Sequence, residues 1–340
     1  MKALIYEGPR QMIMHEVAMP GLAPGDVLIE VAYSGICGSE LSGFLGESSL
    51  RQPPLIFGHE FSGRIVDRGE HAQTYAIGTR VTANPLISCG QCDYCRQSQE
   101  QLCRHRRLLG AALPGSNASY VAVPQESVVP LPDTITLEQA TLAEPVAYAL
   151  HVAQRARFSE ADILVVYGMG PIGLFVLQAA HHFGVQQIYA VDTNADRLTM
   201  AQALGATATL NPSSVDVLSF VKDATYGLMA TVAVDAVGNV VTRQNAVISV
   251  RPGGTVIFSG LHSAQTTLPI NDMIRNEVTT AGAFAYTASQ FRSSVDLVAQ
   301  GAIGLNDPWI VKAPLEEGAH WFDALLGNPG PVAKVLLTPQ

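Results

Sequence analysis

Residues 163–173, which read ILVVYGMGPIG, indicate the fold more strongly than any other stretch of the chain. The apolar run Ile163–Tyr167 is typical of a buried strand, and three glycines follow it in the pattern G-x-G-x-x-G. Such glycines permit a tight turn, close approach of a pyrophosphate and close packing of a helix on the strand. Proline at the first helical turn costs nothing, because the N–H there has no partner. The residues predicted to bind a dinucleotide are Gly168, Gly170, Pro171, Ile172 and Gly173.

An acidic residue lies where a dinucleotide-binding unit requires one. Asp192 ends a second apolar strand, Ile188–Val191, about 20 residues after Gly173. A carboxylate there can accept hydrogen bonds from both adenosine ribose hydroxyls and repels a 2′-phosphate, which favours NAD over NADP. Arg197 could approach such a phosphate, and we include it among the cofactor-binding residues. The simpler alternative is that the glycines only terminate a strand.

The regions on either side of this turn differ in rhythm. From about residue 151 to 290, apolar runs of strand length alternate with helical patterns, which predicts a doubly wound parallel sheet. Residues 1–150 contain short β-rich runs such as Val27–Val31, closely punctuated by Gly and Pro, which predicts a compact antiparallel or barrel-like domain. Residues 291–340 add a helical stretch and the strand Lys334–Thr338, which could return to the first domain. The predicted fold class is therefore α/β with a second, β-rich domain.

Composition and charge exclude several classes of protein. The chain of 340 residues carries a formal net charge of −9, and an acidic chain repels nucleic acid. The uncharged stretch Ile163–Ala180 is long enough to span a membrane, but its glycines and proline fit a strand, turn and helix better. The first residues lack the apolar core of a signal peptide, so we expect a cytoplasmic protein. In that reducing compartment the five cysteines serve more readily as ligands than as disulfides.

Four of the cysteines form one local pattern, C-x2-C-x2-C-x7-C, made by Cys89, Cys92, Cys95 and Cys103. Four thiolates suit a closed tetrahedral zinc site, which leaves no open coordination position and is therefore structural. An iron–sulfur cluster also takes four cysteines, but its bacterial pattern ends in x3-C-P. Unrelated surface cysteines are the remaining alternative.

The fifth cysteine, Cys37, belongs to a set of residues that are unremarkable one by one. It lies in GICGSE, His59 and Glu60 lie in GHEFSG, and Glu144 lies in LAEPV. A lone cysteine is more often a small buried hydrophobe, and a lone histidine is often only packed.

Taken together with YGMGPIG and the four-cysteine segment, these motifs make the chain resemble the zinc-containing medium-chain dehydrogenases over essentially its full length. The resemblance is to the polyol branch, the sorbitol, threonine and galactitol-phosphate dehydrogenases. It implies a GroES-like catalytic domain, a Rossmann domain and an active site between them. It also implies NAD, two zinc ions, a polyol-like substrate and a homodimer or homotetramer. Membrane and nucleic-acid partners are not expected, because of the composition and the acidic charge.

Residue roles follow from matching each motif. Cys37 and His59 become ligands of a catalytic zinc, Glu60 a ligand or its support, and Glu144 a ligand directly or through water. Glutamate in place of cysteine at the last position marks the polyol branch. A zinc ion with an open position lowers the pKa of a substrate hydroxyl, and hydride then passes to the nicotinamide. Ser39 matches the family's proton relay.

Three departures from the family pattern leave alternatives open. Glu40 replaces the usual aspartate, Ser42 replaces a relay histidine, and Gly115–Tyr120 differs from a common loop. A regulatory or binding protein that kept the fold and lost turnover is therefore the main alternative. A zinc-free reductase of the superfamily would lack the cysteines, and a nucleic-acid-binding zinc module conflicts with the charge. Which alcohol is the substrate depends on pocket residues near Ser42–Gln52 and Phe284–Thr287. Arg51 is the nearest candidate to bind a phosphate or carboxylate group of the substrate.

Overall fold

The structure is a computed structural model that describes residues 1–305, 307–328 and 330–339. The chain divides into two compact units, one made of Met1–Ala147 with Tyr286–Gln340 and the other of Tyr148–Ala285. The sequence predicted divisions after residues 150 and 290, so the observed divisions lie a few residues earlier in the chain.

The strands of the described residues, in chain order, are β1 (Lys2–Gly8), β2 (Gln11–Glu16), β3 (Asp26–Gly35), β4 (Leu55–Ile56), β5 (Glu60–Arg68), β6 (Arg80–Ala83), β7 (Leu86–Ile87), β8 (Arg107–Leu108), β9 (Tyr120–Pro124), β10 (Val128–Pro130), β11 (Ile163–Tyr167), β12 (Gln187–Val191), β13 (Ala208–Leu210), β14 (Ala230–Asp235), β15 (Val250–Phe258), β16 (Thr279–Gly282), β17 (Ile310–Pro314) and β18 (Lys334–Thr338).

Their helices are α1 (Gly38–Phe44), α2 (Asp93–Arg96), α3 (Leu137–Ala140), α4 (Ala143–Ala156), α5 (Pro171–His182), α6 (Ala195–Ala203), α7 (Val217–Ala224), α8 (Val240–Ser249), α9 (Ile270–Arg275), α10 (Ala288–Ala299) and α11 (Gly318–Leu326). Short 3-10 turns lie at Glu100–Leu102, Gln125–Ser127, Asp307–Trp309 and Leu315–Glu317.

The first unit is built around one large, mainly antiparallel sheet. Its strand order is β10-β6-β5-β3-β18-β17, and β9 pairs with β3 outside this path. The side chains of Val27, Ile29 and Val31 alternate along β3 and enter the core with those of β5, β6 and β9. A second core of aromatic and aliphatic side chains includes Phe57 and Phe322. In this sheet the C-terminal strand β18 is antiparallel to β3 and parallel to β17.

The second unit contains a six-stranded sheet in the order β13-β12-β11-β14-β15-β16, with every neighbouring pair parallel. This is the 3-2-1-4-5-6 order of the Rossmann fold, in which ligands bind at the carboxyl ends of the strands where the order reverses. The first and fourth strands, β11 and β14, meet at that point. The predicted doubly wound parallel sheet is confirmed. β11 spans the predicted residues Ile163–Tyr167, and β12 begins at Gln187, one residue before the predicted run Ile188–Val191.

The uncharged stretch 163–180 forms β11 and most of α5, with the turn between them. It is thus a strand and a helix rather than one long helix. Within residues 1–305, 307–328 and 330–339, no helix is long and apolar enough to cross a membrane.

Candidate metal centres and cofactor-binding turn

The four cysteines of the segment 89–103 converge in space. The sulfur atoms of Cys92 and Cys95 are 3.5 Å apart, those of Cys89 and Cys103 are 3.5 Å apart, and those of Cys89 and Cys95 are 4.0 Å apart. All are free thiols, well beyond the S–S bond length of about 2 Å. Sulfurs bound at about 2.3 Å to one tetrahedral zinc ion lie about 3.8 Å apart. The observed distances therefore fit a zinc ion with a cysteine-only shell.

The backbone around this cluster favours thiolates. The N–H groups of Cys89 and His105 both donate to the Cys103 sulfur at 3.4 Å. A backbone N–H of Cys95 lowers the pKa of Cys92 to about 6. The short helix α2 within the segment has no buried residue. Because the segment buries so little apolar surface, a metal ion would supply much of its stability.

Cys37, His59 and Glu60 form a second group, whose donor atoms lie within 4.8 Å of one another. The pairing of β3 with β5 explains the convergence, since Gly35 at the end of β3 lies opposite Glu60 at the start of β5. Cys37 follows as the N-cap of α1. A thiolate, an imidazole and a carboxylate are all donors that zinc accepts, and a three-residue set leaves a position open.

Glu40 supports this second group through hydrogen bonds to two of its residues and to the neighbouring Gly58. Its Oε1 atom lies 2.6 Å from Nδ1 of His59 and accepts the N–H of Gly58 at 2.9 Å, and its Oε2 accepts the N–H of Cys37 at 3.3 Å. The carboxylate accepts a hydrogen bond from Nδ1–H, so Nε2 of His59 is the ring nitrogen left for a metal ion. Glu40 departs from the aspartate of the family pattern, but it makes hydrogen bonds to His59, Gly58 and Cys37.

The pKa values of this group describe a strongly negative pocket. Burial favours a neutral imidazole, yet the neighbouring anions Cys37 and Glu40 hold the pKa of His59 well above its usual value. Burial raises the pKa of Glu40, but the charge and hydrogen bond of His59, the charge of Arg51 and the N–H of Cys37 together outweigh it, and the net shift is downward. A donor set that retains a proton so firmly is one that also favours a bound cation.

Glu60 has a buried cation as its partner. The Lys334 ammonium donates to Oε2 of Glu60 and to the carbonyl oxygen of Ile36, the latter at 3.2 Å, and both charged side chains are 1% exposed. Space for the Glu60 carboxylate depends on Gly35, where a Cβ would come within 2.6 Å of Oε2. From the sequence, Lys334 is only the first residue of a predicted strand, and its pairing with Glu60 is not predicted. The available signal was a lysine opening an otherwise apolar strand.

Glu144 lies outside the group of atoms within 4.8 Å and is held by a different partner. The Tyr286 hydroxyl donates to its Oε1 at 2.8 Å. Burial raises the pKa of Glu144 to about 7, and the charges of His59, Glu60 and Lys334 also act on it. Glu144 therefore lies within electrostatic range of the second group while its carboxylate is fixed by a tyrosine.

Ser39, the proposed relay residue, lies beside the cysteine of this group. Its hydroxyl donates to Sγ of Cys37 at 3.4 Å and accepts from Nη2 of Arg51 at 3.1 Å. The Ser42 side chain, one turn along α1, is half-buried.

The glycine-rich turn of the second unit has the geometry that the pattern requires. Gly168 has φ +94°, a conformation that favours glycine. A Cβ at Gly173 would lie 1.8 Å from the carbonyl oxygen of Gly168, so only glycine allows the helix to pack this closely. A Cβ at Gly170 would meet open space, which leaves the face of the turn accessible. Helix α5 then begins with Pro171 and Ile172, and its N-terminus favours an anion.

Asp192 lies directly beside this turn. Its carboxylate accepts the N–H of Met169 at 2.6 Å and that of Asn194 at 2.8 Å. Each carboxylate oxygen has a further lone pair, so the side chain can still accept ribose hydroxyls. The guanidinium of Arg197 lies 3.9 Å from the same carboxylate.

Comparison with known families agrees with this geometry. Residues 23–133 match the alcohol dehydrogenase GroES-like domain, and residues 171–300 match the zinc-binding dehydrogenase domain. The chain belongs to the zinc-containing medium-chain alcohol and polyol dehydrogenases. The GroES-like and Rossmann architecture predicted for this dehydrogenase is thereby confirmed.

Relatives of the dehydrogenase match it from end to end. It is 33% identical to D-arabitol-phosphate dehydrogenase of Enterococcus avium, over 96% of this chain and 95% of that one. It is 30% identical to sorbitol dehydrogenase of Bacillus subtilis, over 100% and 98%. A zinc-binding dehydrogenase from Sinorhizobium meliloti 1021, solved with NADP bound, superposes with a TM-score of 0.92 at 30% identity and covers 99% of both chains.

Proposed function

We propose that this dehydrogenase oxidises a secondary hydroxyl of a small polyol-like alcohol, transferring a hydride to NAD. In the balanced reaction, alcohol and NAD⁺ give a ketone, NADH and a proton. The observation that carries the proposal is the group of half-buried Cys37 with buried His59 and Glu60, whose donor atoms lie within 4.8 Å of one another. Sorbitol and arabitol-phosphate dehydrogenases among its relatives support the polyol class.

Cys37, His59 and a carboxylate of Glu60 or Glu144 would hold the catalytic zinc ion. That ion supplies Lewis acidity, which lowers the pKa of a substrate hydroxyl. Glu40 orients the His59 ring, and Lys334 balances the charge of Glu60. Ser39, 3.4 Å from the Cys37 sulfur, is placed to take up the hydroxyl proton. The four cysteines of segment 89–103 would hold a second, structural zinc ion.

For the cofactor we propose NAD rather than NADP. The Asp192 carboxylate lies against the glycine-rich turn, where it can bind the ribose hydroxyls and repel a 2′-phosphate. The Arg197 guanidinium is within 3.9 Å of that carboxylate, and pairing with Asp192 makes it a weaker partner for a phosphate. Use of NADP is the alternative, since a relative of similar fold binds it.

For the substrate we propose an uncharged alcohol with a neighbouring hydroxyl. Arg51, the cation considered for a phosphate or carboxylate, is only 5% exposed and donates to Gly110 and Ser39 inside the unit. Carboxylate oxygens near the metal position can accept a hydrogen bond from a second hydroxyl, which orients the carbinol carbon. An alcohol with one oxygen offers no such second contact.

The alternative of a binding protein without turnover loses one of its two arguments. Glu40 makes the contacts to His59 that an aspartate would be expected to make. The missing relay histidine at Ser42 remains as the argument for it.

We also propose a cytoplasmic homo-oligomer, a dimer or tetramer, without nucleic-acid or membrane partners. Its support is the edge strand β16, which in the described residues pairs with β15 alone. Exposed apolar side chains, Ile270 and Ile274 of α9, occur in the same unit. The acidic charge supports the absence of nucleic acid.

The test of the function is NADH formation by zinc-loaded protein with a panel of alcohols. The panel contains ethanol, 2-butanol, vicinal diols, free pentitols and hexitols, and phosphate esters of the same polyols. We expect the highest kcat/KM with a free polyol or vicinal diol. Ethanol equal to the best polyol would contradict the polyol class, a preference for esters would contradict the uncharged substrate, and no turnover with any alcohol would favour the binding-protein alternative.

A further inference from the structure

Arg51 is a charged side chain almost entirely inside the first unit. It is 5% exposed and lies on the segment between α1 and β4. Its Nε donates to the carbonyl oxygen of Gly110 at 3.1 Å, and its Nη2 donates to the Ser39 hydroxyl at 3.1 Å. The guanidinium also lies over the Phe57 ring, 5.7 Å from its centroid. A buried charge is costly unless it is bound in this way, so the contacts fix the guanidinium in one place.

Two glycines lie beside Arg51, one against its stem and one at its hydrogen-bond acceptor. A Cβ at Gly43, near the C-terminal end of α1, would lie 2.5 Å from Cδ of Arg51, so glycine admits the arginine stem there. Gly110, whose carbonyl oxygen accepts from Nε of Arg51, has φ +66°, and a Cβ there would lie 2.7 Å from the backbone nitrogen of Gly58. Glycine at 110 thus permits the close packing on Gly58 that keeps this carbonyl beside the guanidinium.

The contact with Ser39 fixes that hydroxyl. An exposed serine at the start of a helix ordinarily has several rotamers available. Arg51 donates to one lone pair of Oγ, and the hydroxyl hydrogen is directed to Cys37 Sγ at 3.4 Å. One lone pair of Oγ remains to accept a proton from another molecule. The arginine therefore selects the orientation in which Ser39 faces the candidate metal ligands.

We infer that Arg51 is a positioning residue that holds Ser39 ready for proton transfer in a chain that lacks the relay histidine, with Ser42 in its place. The inference rests on the proposed function, in which Ser39 receives the hydroxyl proton of the substrate. Arginine cannot accept that proton, because its guanidinium stays charged in proteins and has no acceptor. Its fixed positive charge instead favours partial negative charge on the Ser39 oxygen as this hydroxyl passes its own proton to water or the cofactor ribose.

The experiment is a double-mutant cycle in the zinc-loaded, full-length enzyme. The variants are Arg51→Met, Ser39→Ala and the double variant, with Arg51→Lys to restore the charge without the planar fork. We expect Arg51→Met to lower kcat about 10- to 100-fold, with less than about a twofold change in KM for NAD. In the Ser39→Ala background the same change should cost less than about twofold, because Ser39 transmits the effect.

Additional measurements separate positioning from structure. Losses in kcat that multiply in the double variant would show that Arg51 acts independently of Ser39 and would overturn the inference. Wild-type kcat in Arg51→Met would overturn the inference directly. Arg51→Lys should recover part of kcat, and equal losses in the Lys and Met variants would count against the role of charge.

The cycle also has a readout that does not depend on turnover. The free energy of unfolding in urea is measured for the wild type, Arg51→Met, Ser39→Ala and the double variant. It should show coupling between positions 39 and 51, and strict additivity would contradict the contact. If the wild-type enzyme oxidises no alcohol, the proposed function fails, and the unfolding cycle still decides whether Arg51 holds Ser39.

Discussion

The two candidate metal centres of the first unit are built in opposite ways. The cysteine-only centre comes from one short segment, 89–103, with thiols at half-exposed positions apart from the buried Cys103. The mixed centre takes Cys37 from the start of α1 and the adjacent His59 and Glu60 from the start of β5, and it is enclosed by buried charged residues. The cysteine-only centre can therefore form or be lost within its own segment, whereas the mixed centre depends on the packing of the whole unit. The difference predicts a structural ion in the first and a reactive one in the second.

The largest expected effect is the loss of activity when the mixed centre loses its imidazole. His59→Ala should lower kcat at least about 1000-fold, since a Lewis acid supplies several kcal/mol to such a reaction. Zinc content should fall from two ions per chain to one, because the cysteine-only centre shares no residue with the mixed one. The measurements are kcat and metal analysis of the purified protein.

His105→Ala is the matched control, since this exposed histidine contacts Cys103 only through its backbone N–H. It should retain both zinc ions and full activity. Loss of both ions in His59→Ala would show that the two centres are not independent.

The next effect concerns stability and tests how much the free energy of unfolding depends on the buried charges of the mixed centre. Lys334→Met leaves the Glu60 carboxylate, 1% exposed, without its cation. Breaking a buried pair in this way costs about 3–5 kcal/mol, because an uncompensated charge remains inside. The free energy of unfolding of the zinc-depleted protein in urea measures it.

Lys312→Met removes a lysine of the same sheet that is paired at the surface with Glu138, at 2.9 Å. Exposed pairs contribute about 0–1 kcal/mol, so this control should be nearly neutral. Equal effects of the two substitutions would mean that the buried pair contributes no more than a surface one.

A smaller difference should appear in metal release. Mild chelation should remove the ion of the mixed centre first, because imidazole and carboxylate ligands with an open position exchange faster than a closed thiolate shell. Activity should then be lost while the unfolding temperature falls by less than about 2 °C, a shift of about 1 kcal/mol for a chain of this size. Activity, bound zinc and unfolding temperature are followed against time with chelator. Activity that persists until both ions have left would contradict the separate roles.

How far the sequence predicted each centre follows from the same difference. Spacing alone brought Cys89, Cys92, Cys95 and Cys103 together, because their contacts are local in the chain. The strand, turn and helix at residues 163–182 were likewise predictable, since the glycine pattern and its apolar flanks are local signals. The ligands of the mixed centre were assembled from a family resemblance, and the chain's membership in that family is confirmed.

The partners of those ligands were beyond sequence reasoning. Lys334 lies 274 residues from Glu60, and Tyr286 lies 142 residues from Glu144. Neither pairing leaves a periodic or spaced pattern, because it depends on how strands from distant segments align. Arg51 was named only as the nearest candidate to bind a substrate phosphate or carboxylate, and its burial against Gly43 is visible only in the packed structure.

The smallest expected effect lies in the second unit. Substitutions there should not change the zinc content of the two metal centres, which belong to the first unit. Asp192→Ala should weaken NAD use and improve relative use of NADP, because it removes hydrogen-bond acceptors for the ribose and the repulsion of a 2′-phosphate. Hydrogen bonds to a charged group contribute about 1.5–3 kcal/mol, so the ratio of kcat/KM for the two cofactors should shift by about 10- to 100-fold.

Asp192 also accepts the N–H of Met169 in the turn, at 2.6 Å, so part of any loss could come from a looser turn. Asp192→Asn separates the two causes, since it keeps an acceptor for that N–H and removes only the charge. If charge decides the preference, Asn and Ala should shift the cofactor ratio alike, whereas a turn effect would leave Asn close to the wild type. Asp196→Asn, an equal change of charge on the first turn of α6, is the control and should leave the ratio unchanged. All of these variants should keep two zinc ions per chain, and an unaltered ratio in both Asp192 variants would remove Asp192 from the cofactor site.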